Sequence, residues 1–337
     1  MQKKAVKQRN IFLRIRISNS EDLAILEIHD IRNSILIPAG FITVKISGDK
    51  GGFLQDETCY REWRKKRLRS YPQNVEEIRV QVDSLLNVTA RQKAALITAC
   101  KRANMAIYHC RNAAVDRAAV ATFASGFGLT RLDHHLCANA DGVSELAVAS
   151  EGVRTTYVPY SSRSLSWHTD GYYNDKERQI NAVILHCARS AATGGENALL
   201  DPELAYIHLR DEDPRFITAF EHPECMTIPA NRDALGEIRA AVSGPVFSYA
   251  LSGEIHMRYS ARKRNIQWRD DALTTAAREC LTQLLEDPNG PVFHYRLKAG
   301  EGLISNNILH NRTEFNDGPG QQRLLYRARF FDRIRTQ

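Results

Sequence analysis

The sequence of 337 residues lacks the signals of several protein classes. No part of it approaches the roughly 20 consecutive apolar residues that a membrane-spanning helix needs. Neither GxGxxG nor GxxxxGK(S/T) occurs, so dinucleotide binding and P-loop chemistry have no support. There are no internal repeats and no low-complexity tract. The hydrophobic content of 43% and the charged content of 25% are typical of a soluble globular protein, and we expect no membrane partner.

Cysteine is scarce and widely scattered. The seven cysteines are odd in number and none forms a CxxC pair, which argues against a disulfide framework and against a zinc site. They are typical of reduced, mostly buried thiols. The basic N-terminus, MQKKAVKQRNIFLRIRI, has no apolar core and no cleavage site of a secretory signal. We therefore expect a cytoplasmic protein.

The positive charge is confined to one end of the chain. Residues 1–70 contain 15 Lys and Arg against 8 Asp and Glu, a net charge of +7 that equals the formal charge of the whole sequence. The densest run is REWRKKRLR at 61–69. It could bind nucleic acid or another anionic surface, or it could be a solvated helix face or a flexible linker. We favour the second interpretation, because no nucleic-acid-binding motif accompanies the run.

The hydrophobic pattern divides the chain into a small first domain and a large second one. Residues 1–50 alternate like a small β unit, residues 51–78 are predicted to be a linker, and the main domain covers 79–337. Many short strands with few helices predict a mainly β fold with flanking helices and a double-stranded β-helix (jelly roll) core. The predicted elements of the main domain are helices over 89–102, 115–127 and 270–287, strands over 105–109 and 180–187, and a hairpin over 245–260.

A histidine and an aspartate lie two positions apart in residues 164–174, SLSWHTDGYYN. On a strand, residues two apart face the same side, about 7 Å from each other along the backbone. His168 and Asp170 could thus be two ligands of a divalent metal. Two histidines, one carboxylate and three open positions form the facial triad of non-haem Fe(II) oxygenases. By itself the pattern could equally be a surface turn whose aspartate caps a backbone amide.

Two segments near the end of the chain favour metal binding by His168 and Asp170 over a surface turn. His310 follows a short apolar run, 303–309, that is typical of a buried strand. Thirteen residues later a strand begins on which Arg323 and Arg327 alternate onto one face. A buried arginine needs a partner, because an unpaired buried charge costs several kcal/mol. An anionic ligand is the natural partner, since a guanidinium group holds a carboxylate with two hydrogen bonds.

The same segments resemble a known family. The chain is similar to the taurine dioxygenase-like (TauD/TfdA) family of Fe(II)/2-oxoglutarate-dependent oxygenases, and particularly to the γ-butyrobetaine hydroxylase branch. The resemblance covers roughly residues 80–335. It is carried by four motifs in the family's order: WHTDGYYN at 167–174, LHCARSAATGGENALLD at 185–201, LISNNILHNRTEF at 303–315 and RLLYRARF at 323–330.

The resemblance implies a dioxygenase and a set of site residues. His168, Asp170 and His310 would hold Fe(II), and Arg323 would bind the distal carboxylate of 2-oxoglutarate. The implied reaction consumes O2, hydroxylates a small-molecule substrate and releases succinate and CO2. Asn197 stands where taurine dioxygenases have a threonine after the GG pair. It can still donate a hydrogen bond to the cosubstrate.

The substrate is less well specified. Arg327 occupies the position of the arginine that binds the substrate's sulfonate in taurine dioxygenase, which indicates an acidic or zwitterionic substrate. Alternatively, Arg327 supports Arg323 or forms an ion pair with an unidentified carboxylate. Tyr172 and Tyr173 could bind substrate through cation–π attraction or could pack the mouth of the barrel.

Some questions stay open at this stage. The adjacent His134 and His135 face opposite ways on a strand, so we expect a surface or substrate-loop role for them rather than metal binding. Two other classes of function remain: a metalloenzyme on the same fold that does not use 2-oxoglutarate, and a non-catalytic binding protein acting through the basic residues 1–70. A homo-oligomer is also left open.

Overall fold

The structure is a computed structural model, and it describes residues 52–111, 115–233, 236–250 and 253–335. The small β unit predicted for residues 1–50 lies outside the described residues. No helix in the described ranges is both long enough and apolar enough to span a membrane. Six of the seven cysteines are buried.

Strands and helices contribute about equally to the described chain. The nineteen strands are β1 Arg79–Val82, β2 Met105–Cys110, β3 Ser144–Leu146, β4 Leu165–His168, β5 Ala182–Arg189, β6 Thr193–Gly194, β7 Asn197–Leu200, β8 Met226–Ile228, β9 Asn231–Asp233, β10 Gly236–Arg239, β11 Val242–Gly244, β12 Phe247–Tyr249, β13 Ile255–Met257, β14 Gln267–Trp268, β15 Phe293–Tyr295, β16 Glu301–Ser305, β17 Leu309–Arg312, β18 Phe315–Asn316 and β19 Leu324–Phe330. The seven α-helices are α1 Gly52–Gln55, α2 Glu57–Ser70, α3 Ala90–Ala103, α4 Arg117–Ser125, α5 Pro202–Glu212, α6 Pro214–Phe220 and α7 Ala272–Glu286.

Helix α3 shows how local sequence sets the element boundaries. The Thr89 side chain accepts a hydrogen bond from the backbone N–H of Gln92, and the Gln92 side chain accepts one from the backbone N–H of Thr89. This capping box satisfies two of the free amides at the helix start. The helix ends at Asn104, which adopts a left-handed conformation with φ of 54°. The helix predicted for 89–102 is therefore present.

Two sheets carry the site. The larger has six strands in the order β1-β2-β16-β5-β19-β3, and within it only β1 and β2 run parallel. Helices α3 and α4 pack against it. The smaller has four strands in the order β15-β7-β17-β4, all antiparallel. The described chain is thus mixed α/β with several sheets, and the predicted mainly β class understates its helices.

The basic run at 61–69 lies on helix α2, within the stretch 51–78 that was predicted to be a linker. Tyr60 and Arg67 of this helix are buried. The Arg67 guanidinium pairs with Asp201 and, at 2.7 Å, with Glu203. The acidic partners of Arg67 lie more than 130 positions away in the sequence, where no local pattern connects them, and the domain boundary near residue 78 stays a prediction.

Candidate active site

Strand pairing places two histidines directly opposite each other. His310 on β17 is the cross-strand partner of His168 on β4, and the centroids of their rings are 4.3 Å apart. The Nδ1 atom of His168 lies 2.8 Å from the carbonyl oxygen of Ser166, and that of His310 lies 3.0 Å from the carbonyl oxygen of Ile308. A carbonyl only accepts, so Nδ1 carries the hydrogen in both rings. Each Nε2 atom then has a free lone pair.

Asp170 is held beside this pair by an asparagine. The backbone N–H of Asp170 donates to Asn307 Oδ1 at 2.8 Å, and Asn307 Nδ2 donates to the carbonyl oxygens of Asp170 at 2.9 Å and of Ile180 at 2.6 Å. Asn307 itself has a positive φ of 49°. Sequence reasoning missed this residue, although the NN pair just before the ILH segment was visible. Asparagine tolerates the left-handed conformation better than most residues.

The two oxygens of the Asp170 carboxylate differ in their surroundings. Oδ1 accepts hydrogen bonds from Arg327 at 3.0 Å and from Arg329 at 3.5 Å. Oδ2 is buried without a hydrogen-bond partner in the structure and lies 4.0 Å from Nε2 of His310. Burial alone would raise the pKa of Asp170, but the guanidinium groups of Arg327 and then Arg329 outweigh it and hold that pKa well below its usual range. The carboxylate is therefore ionised.

Both histidines and the aspartate suit a divalent metal. Burial, followed by the neighbouring His310, lowers the pKa of His168 to about 3, so its ring is neutral at neutral pH. A neutral imidazole and an ionised carboxylate are the forms that bind metals. Within the described ranges, no three His, Cys, Asp or Glu side chains lie close enough together to enclose a metal ion. The unpartnered Oδ2 atom and the two Nε2 atoms are nevertheless of the donor types that bind divalent metals.

A pocket beside the two histidines contains three buried arginines. Its polar lining consists of His168, His310, Asn197, Arg312, Arg323 and Arg327, and four leucines supply most of its apolar lining. Buried guanidinium groups facing one cavity repel each other, so the cavity favours an anionic ligand.

The predicted cosubstrate residues both line this pocket. Arg323 is 5% exposed, and its guanidinium lies over the ring of Phe315 at 4.7 Å. Among the described residues, no carboxylate lies within ion-pair distance of that guanidinium. Burial lowers the pKa of Arg323. Asn197 donates to the carbonyl oxygen of Tyr295 at a long 3.4 Å.

Arg312 is a pocket residue that sequence reasoning missed. It donates to the carbonyl oxygen of Ser161 at 2.9 Å and also to that of Arg163, while its Nε atom is buried without a partner in the structure. Burial and then Arg323 lower the pKa of Arg312 to about 9. The available signal was its spacing, since residues two apart on a strand share a face and Arg312 follows His310 by two.

The predicted substrate residues lie on the side of Asp170. The guanidinium of Arg327 forms an ion pair with the Asp170 carboxylate. Asp170 is thus the carboxylate that the sequence left unidentified when it allowed an ion pair for Arg327. Tyr172 stands edge-on to the His168 ring at 6.3 Å. Its hydroxyl accepts a hydrogen bond from Arg262 at 3.1 Å. The hydroxyl of Tyr173 accepts one from Arg329 at 2.8 Å.

The segment around His135 comes closer to the arginine strand than its sequence suggested. His135 Nε2 is 3.0 Å from the hydroxyl of Ser144, which is the cross-strand partner of Arg327. Burial and then Arg329 lower the pKa of His135 to about 2, so the ring is neutral. Asp133, two positions earlier, is buried against Arg329. Sequence reasoning weighed the two histidines of this segment and overlooked its aspartate.

Comparison with known proteins identifies a matching family. Residues 67–329 match the model of the taurine catabolism dioxygenase TauD, TfdA family. A stretch of 175 residues is 29% identical to Uridine-5'-phosphate dioxygenase of Amycolatopsis sp, covering 50% of this chain and 62% of that protein. The match therefore spans less than two thirds of that relative's length.

Solved structures show the same fold at low sequence identity. One is AAD-2 in complex with Mn(II) and N-oxalylglycine, with 15% identity, a TM-score of 0.54, and coverage of 77% of this chain and 96% of that one. Another is asparagine oxygenase in complex with Fe(II), 2S,3S-3-hydroxyasparagine and succinate, with 15% identity, a TM-score of 0.50, and coverage of 75% and 93%. These similarities do not test the resemblance to γ-butyrobetaine hydroxylase, which stays a prediction. The family model covers most of the sequence, and the chain therefore belongs to the taurine catabolism dioxygenase TauD, TfdA family, whose members use Fe(II) and 2-oxoglutarate.

Proposed function

We propose that this protein is an Fe(II)- and 2-oxoglutarate-dependent dioxygenase that hydroxylates a small acidic or zwitterionic metabolite, consuming O2 and releasing succinate and CO2. The observation that carries the proposal is the facing pair His168 and His310, with the unpartnered Oδ2 of Asp170 4.0 Å from the second ring. We also infer that the six-stranded and four-stranded sheets are the two sheets of the double-stranded β-helix that the family implies.

The proposed iron ligands are His168, Asp170 and His310. Their main-chain surroundings prepare them for this role, because each histidine ring is fixed through Nδ1 and its Nε2 atom is left for a ligand. When bound, the iron supplies the activation of O2 for oxidation of a C–H bond. Two imidazoles and one carboxylate leave three coordination positions for other ligands.

Arg323 and Asn197 are the proposed contacts of 2-oxoglutarate. Arg323 is buried in the pocket that also holds both histidines, and its guanidinium is not neutralised by a described carboxylate. A dianionic cosubstrate would supply the missing negative charge through hydrogen bonds to a planar fork. The Asn197 amide is weakly engaged by Tyr295, so it can turn to the same carboxylate.

The acidic group of the substrate is the next inference. Arg327 lines the pocket beside the histidines, which suits an anion placed next to the metal. Arg262 contacts Tyr172, so a further cation lies near the aromatic residues. The relative from Amycolatopsis sp is named for a phosphorylated substrate, uridine-5'-phosphate. We infer that a phosphate monoester or a free carboxylate of comparable size is the substrate class to test first.

The decisive experiment is an anaerobic titration of the full chain with Fe(II) and then 2-oxoglutarate, followed by aerobic screening for substrate-dependent succinate release. The panel pairs nucleoside 5'-monophosphates with the matching nucleosides, and adds small carboxylates and sulfonates. Asp170→Ala should abolish Fe(II) binding, whereas His294→Gln, at an exposed histidine of β15, should not change it.

Two outcomes would contradict the proposal. Tight metal binding with no dependence of turnover on 2-oxoglutarate would instead support a metalloenzyme of another class. Salt-sensitive nucleic-acid binding that survives in Asp170→Ala would support the alternative of a binding protein that acts through its basic residues.

A further inference from the structure

We propose that Arg329 is a positioning residue that, anchored by Asp133 and Tyr173, holds one oxygen of Asp170 and thereby makes that carboxylate a one-oxygen metal ligand. The inference rests on the proposed function, because it concerns how the proposed iron ligand Asp170 is prepared. Arg329 touches the ligand and not the reacting atoms.

The first observation is the burial of the whole cluster. Arg329 is 2% exposed, Asp133 1% and Asp170 4%. Arg329 pairs with Asp133 and donates to Asp170 Oδ1 at 3.5 Å and to the Tyr173 hydroxyl at 2.8 Å. Charges this deep are retained only where they are paired, since the desolvation cost of each is several kcal/mol.

The second observation is that Arg329 is anchored at both its backbone and its side chain. The backbone N–H of Asp133 donates to the carbonyl oxygen of Arg329 at 2.9 Å, so the two residues are tied twice. Arg327, two positions earlier on the same face of β19, has Asp170 as its one ion-pair partner among the described residues, whereas Arg329 pairs with both Asp133 and Asp170 and also donates to Tyr173. Arg327 is therefore freer to turn towards a ligand than Arg329.

The charges explain why two arginines meet one oxygen. The formal charges of Asp133, Asp170, Arg327 and Arg329 sum to zero, and the exposed Arg178 lies 3.4 Å from Asp133 as a further cation. The guanidinium groups of Arg327 and Arg329 both approach Oδ1 of Asp170. If Arg327 turns to an anionic ligand, Arg329 still neutralises that oxygen. Without Arg329, Asp133 would keep only the exposed Arg178, at 3.4 Å, and Asp170 would keep only Arg327, so Oδ1 of Asp170 would lose one of the two guanidinium groups that hold it.

The consequence concerns the number of open coordination positions. A carboxylate with two free oxygens can bind an ion through both of them and occupy a position that other ligands need. With Oδ1 held by Arg329, only Oδ2 is available, and it is the oxygen that faces His310. Three positions then stay open, as the facial triad requires.

The test compares two variants that disturb this support in different ways. Asp133→Asn keeps the shape of the anchor and removes its charge, and Arg329→Lys keeps the charge and removes the planar fork. In the full chain, the Kd of Mn(II) is measured by calorimetry and the Tm is measured by scanning fluorimetry. Both variants should bind Mn(II) about 10- to 100-fold more weakly than the wild type, the usual cost of removing a ligand's outer support.

A spectroscopic readout separates positioning from general stability. The charge-transfer absorption of the anaerobic Fe(II)–2-oxoglutarate chelate should weaken or shift in both variants. This absorption depends on the coordination positions of the iron that the protein leaves free for 2-oxoglutarate. Tyr173→Phe removes one hydrogen bond from Arg329 and should give a smaller change of the same sign, even if the other two variants fold poorly. The control is Asp332→Asn, which breaks the nearby pair of Asp332 with Arg131 and should leave the Mn(II) Kd unchanged.

The outcomes distinguish the two proposals. If the wild type binds no divalent metal, the proposed function fails and this inference fails with it. If the wild type binds Mn(II) and the folded variants match its Kd and its absorption, Arg329 has a structural role alone and the inference is wrong while the function stands. A lowered Tm with unchanged metal affinity leads to the same conclusion.

Discussion

His310 lies directly across the strand pair from His168, with the ring centroids 4.3 Å apart. The register of β17 against β4 fixes this relationship. A shift of one residue in that register would turn the His310 side chain to the opposite face of the sheet. Each ring is also tied to the carbonyl oxygen two positions earlier in the chain, so the protein itself sets the orientation of both rings. The backbone thus prepares the site before any ligand arrives.

Arg323 should determine the affinity for 2-oxoglutarate. Arg323→Gln removes a buried charge from the pocket, and losing one partner of a buried ion pair costs about 2 to 5 kcal/mol. We therefore expect the Kd of 2-oxoglutarate to rise by at least about 30-fold, while the Kd of Mn(II) stays the same. Calorimetry with the Mn(II)-loaded protein measures both values.

The matched control for that substitution is Arg189→Gln. Arg189 ends β5 next to β19, is exposed, and donates to the carbonyl oxygen of Gln322 at 3.0 Å. The control should keep the wild-type affinity for 2-oxoglutarate. Equal weakening in both variants would mean that Arg323 does not contact the cosubstrate.

Acid should destabilise the metal-free protein well before its carboxylates titrate. Burial, followed by Arg333 and Arg258, lowers the pKa of His256 from its usual 6.5 to about 3. At a pH between these two pKa values, His256 is protonated in the unfolded chain and neutral in the folded protein. The free energy of unfolding then falls as the pH falls from about 6.5 to about 3, by about 1.4 kcal/mol per pH unit for this histidine.

Urea denaturation between pH 4 and pH 6.5 measures this effect. In His256→Gln, the slope of the unfolding free energy against pH should fall by the amount that corresponds to about one bound proton. In His294→Gln, which replaces an exposed histidine, the slope should not change. An unchanged slope in His256→Gln would show that this ring is not kept neutral by the fold.

Helix α2 should be an integral part of the catalytic domain. Arg67→Met leaves Asp201 and Glu203 without their buried cation, which costs about 3 to 5 kcal/mol of unfolding free energy. Arg61→Met on the same helix breaks only an exposed pair with Glu57 and should have little effect. Chemical denaturation of both variants checks this. If the two variants are equally stable, residues 57–70 behave as a linker, and the predicted domain boundary near residue 78 is supported.

The turn at Gly194 should be required for the cosubstrate pocket. Gly194 has a φ of 69°, and a Cβ atom there would lie 2.2 Å from the carbonyl oxygen of Glu314. Gly194 also pairs with Phe315, whose ring lies under the Arg323 guanidinium. Gly194→Ala should therefore reduce both the stability and the affinity for 2-oxoglutarate.

Gly320→Ala is the control for the backbone conformation. Gly320 has nearly the same φ, 70°, and open space around the added atom. It should cost only the left-handed conformation itself, about 1 to 2 kcal/mol, with the affinity for 2-oxoglutarate unchanged. Similar losses in both variants would show that the contact with Glu314 is unimportant. Thermal unfolding and calorimetry supply the two measurements.

Local sequence was sufficient wherever the cause of a structure is local. The capping box at Thr89 predicts the start of α3, and the alternation after Arg323 predicts a strand with arginines on one face. The hairpin predicted for 245–260 is present as the antiparallel pair β12 and β13. Hydrogen bonds within a few residues and the period of a strand are both written in neighbouring positions.

Ion pairs between residues far apart in the chain could not be predicted from the sequence, for a physical reason. The pairing of Arg329 with Asp133 spans 196 positions, and that of Arg67 with Asp201 spans 134. Each residue looks like an ordinary charged side chain in its own segment. Only packing reveals which charges lose their water and therefore need one another.

The sequence by itself determined the family of this protein, because the order of the motifs around His168, Asp170, His310 and Arg323 is that of the family whose model matches residues 67–329. Tertiary structure alone decided which oxygen of Asp170 is free and which is held by arginine. It also decided that Tyr60 and Arg67 of helix α2 are buried. The physical reason is that burial, and with it the energy of every charge, depends on neighbours brought together by the fold.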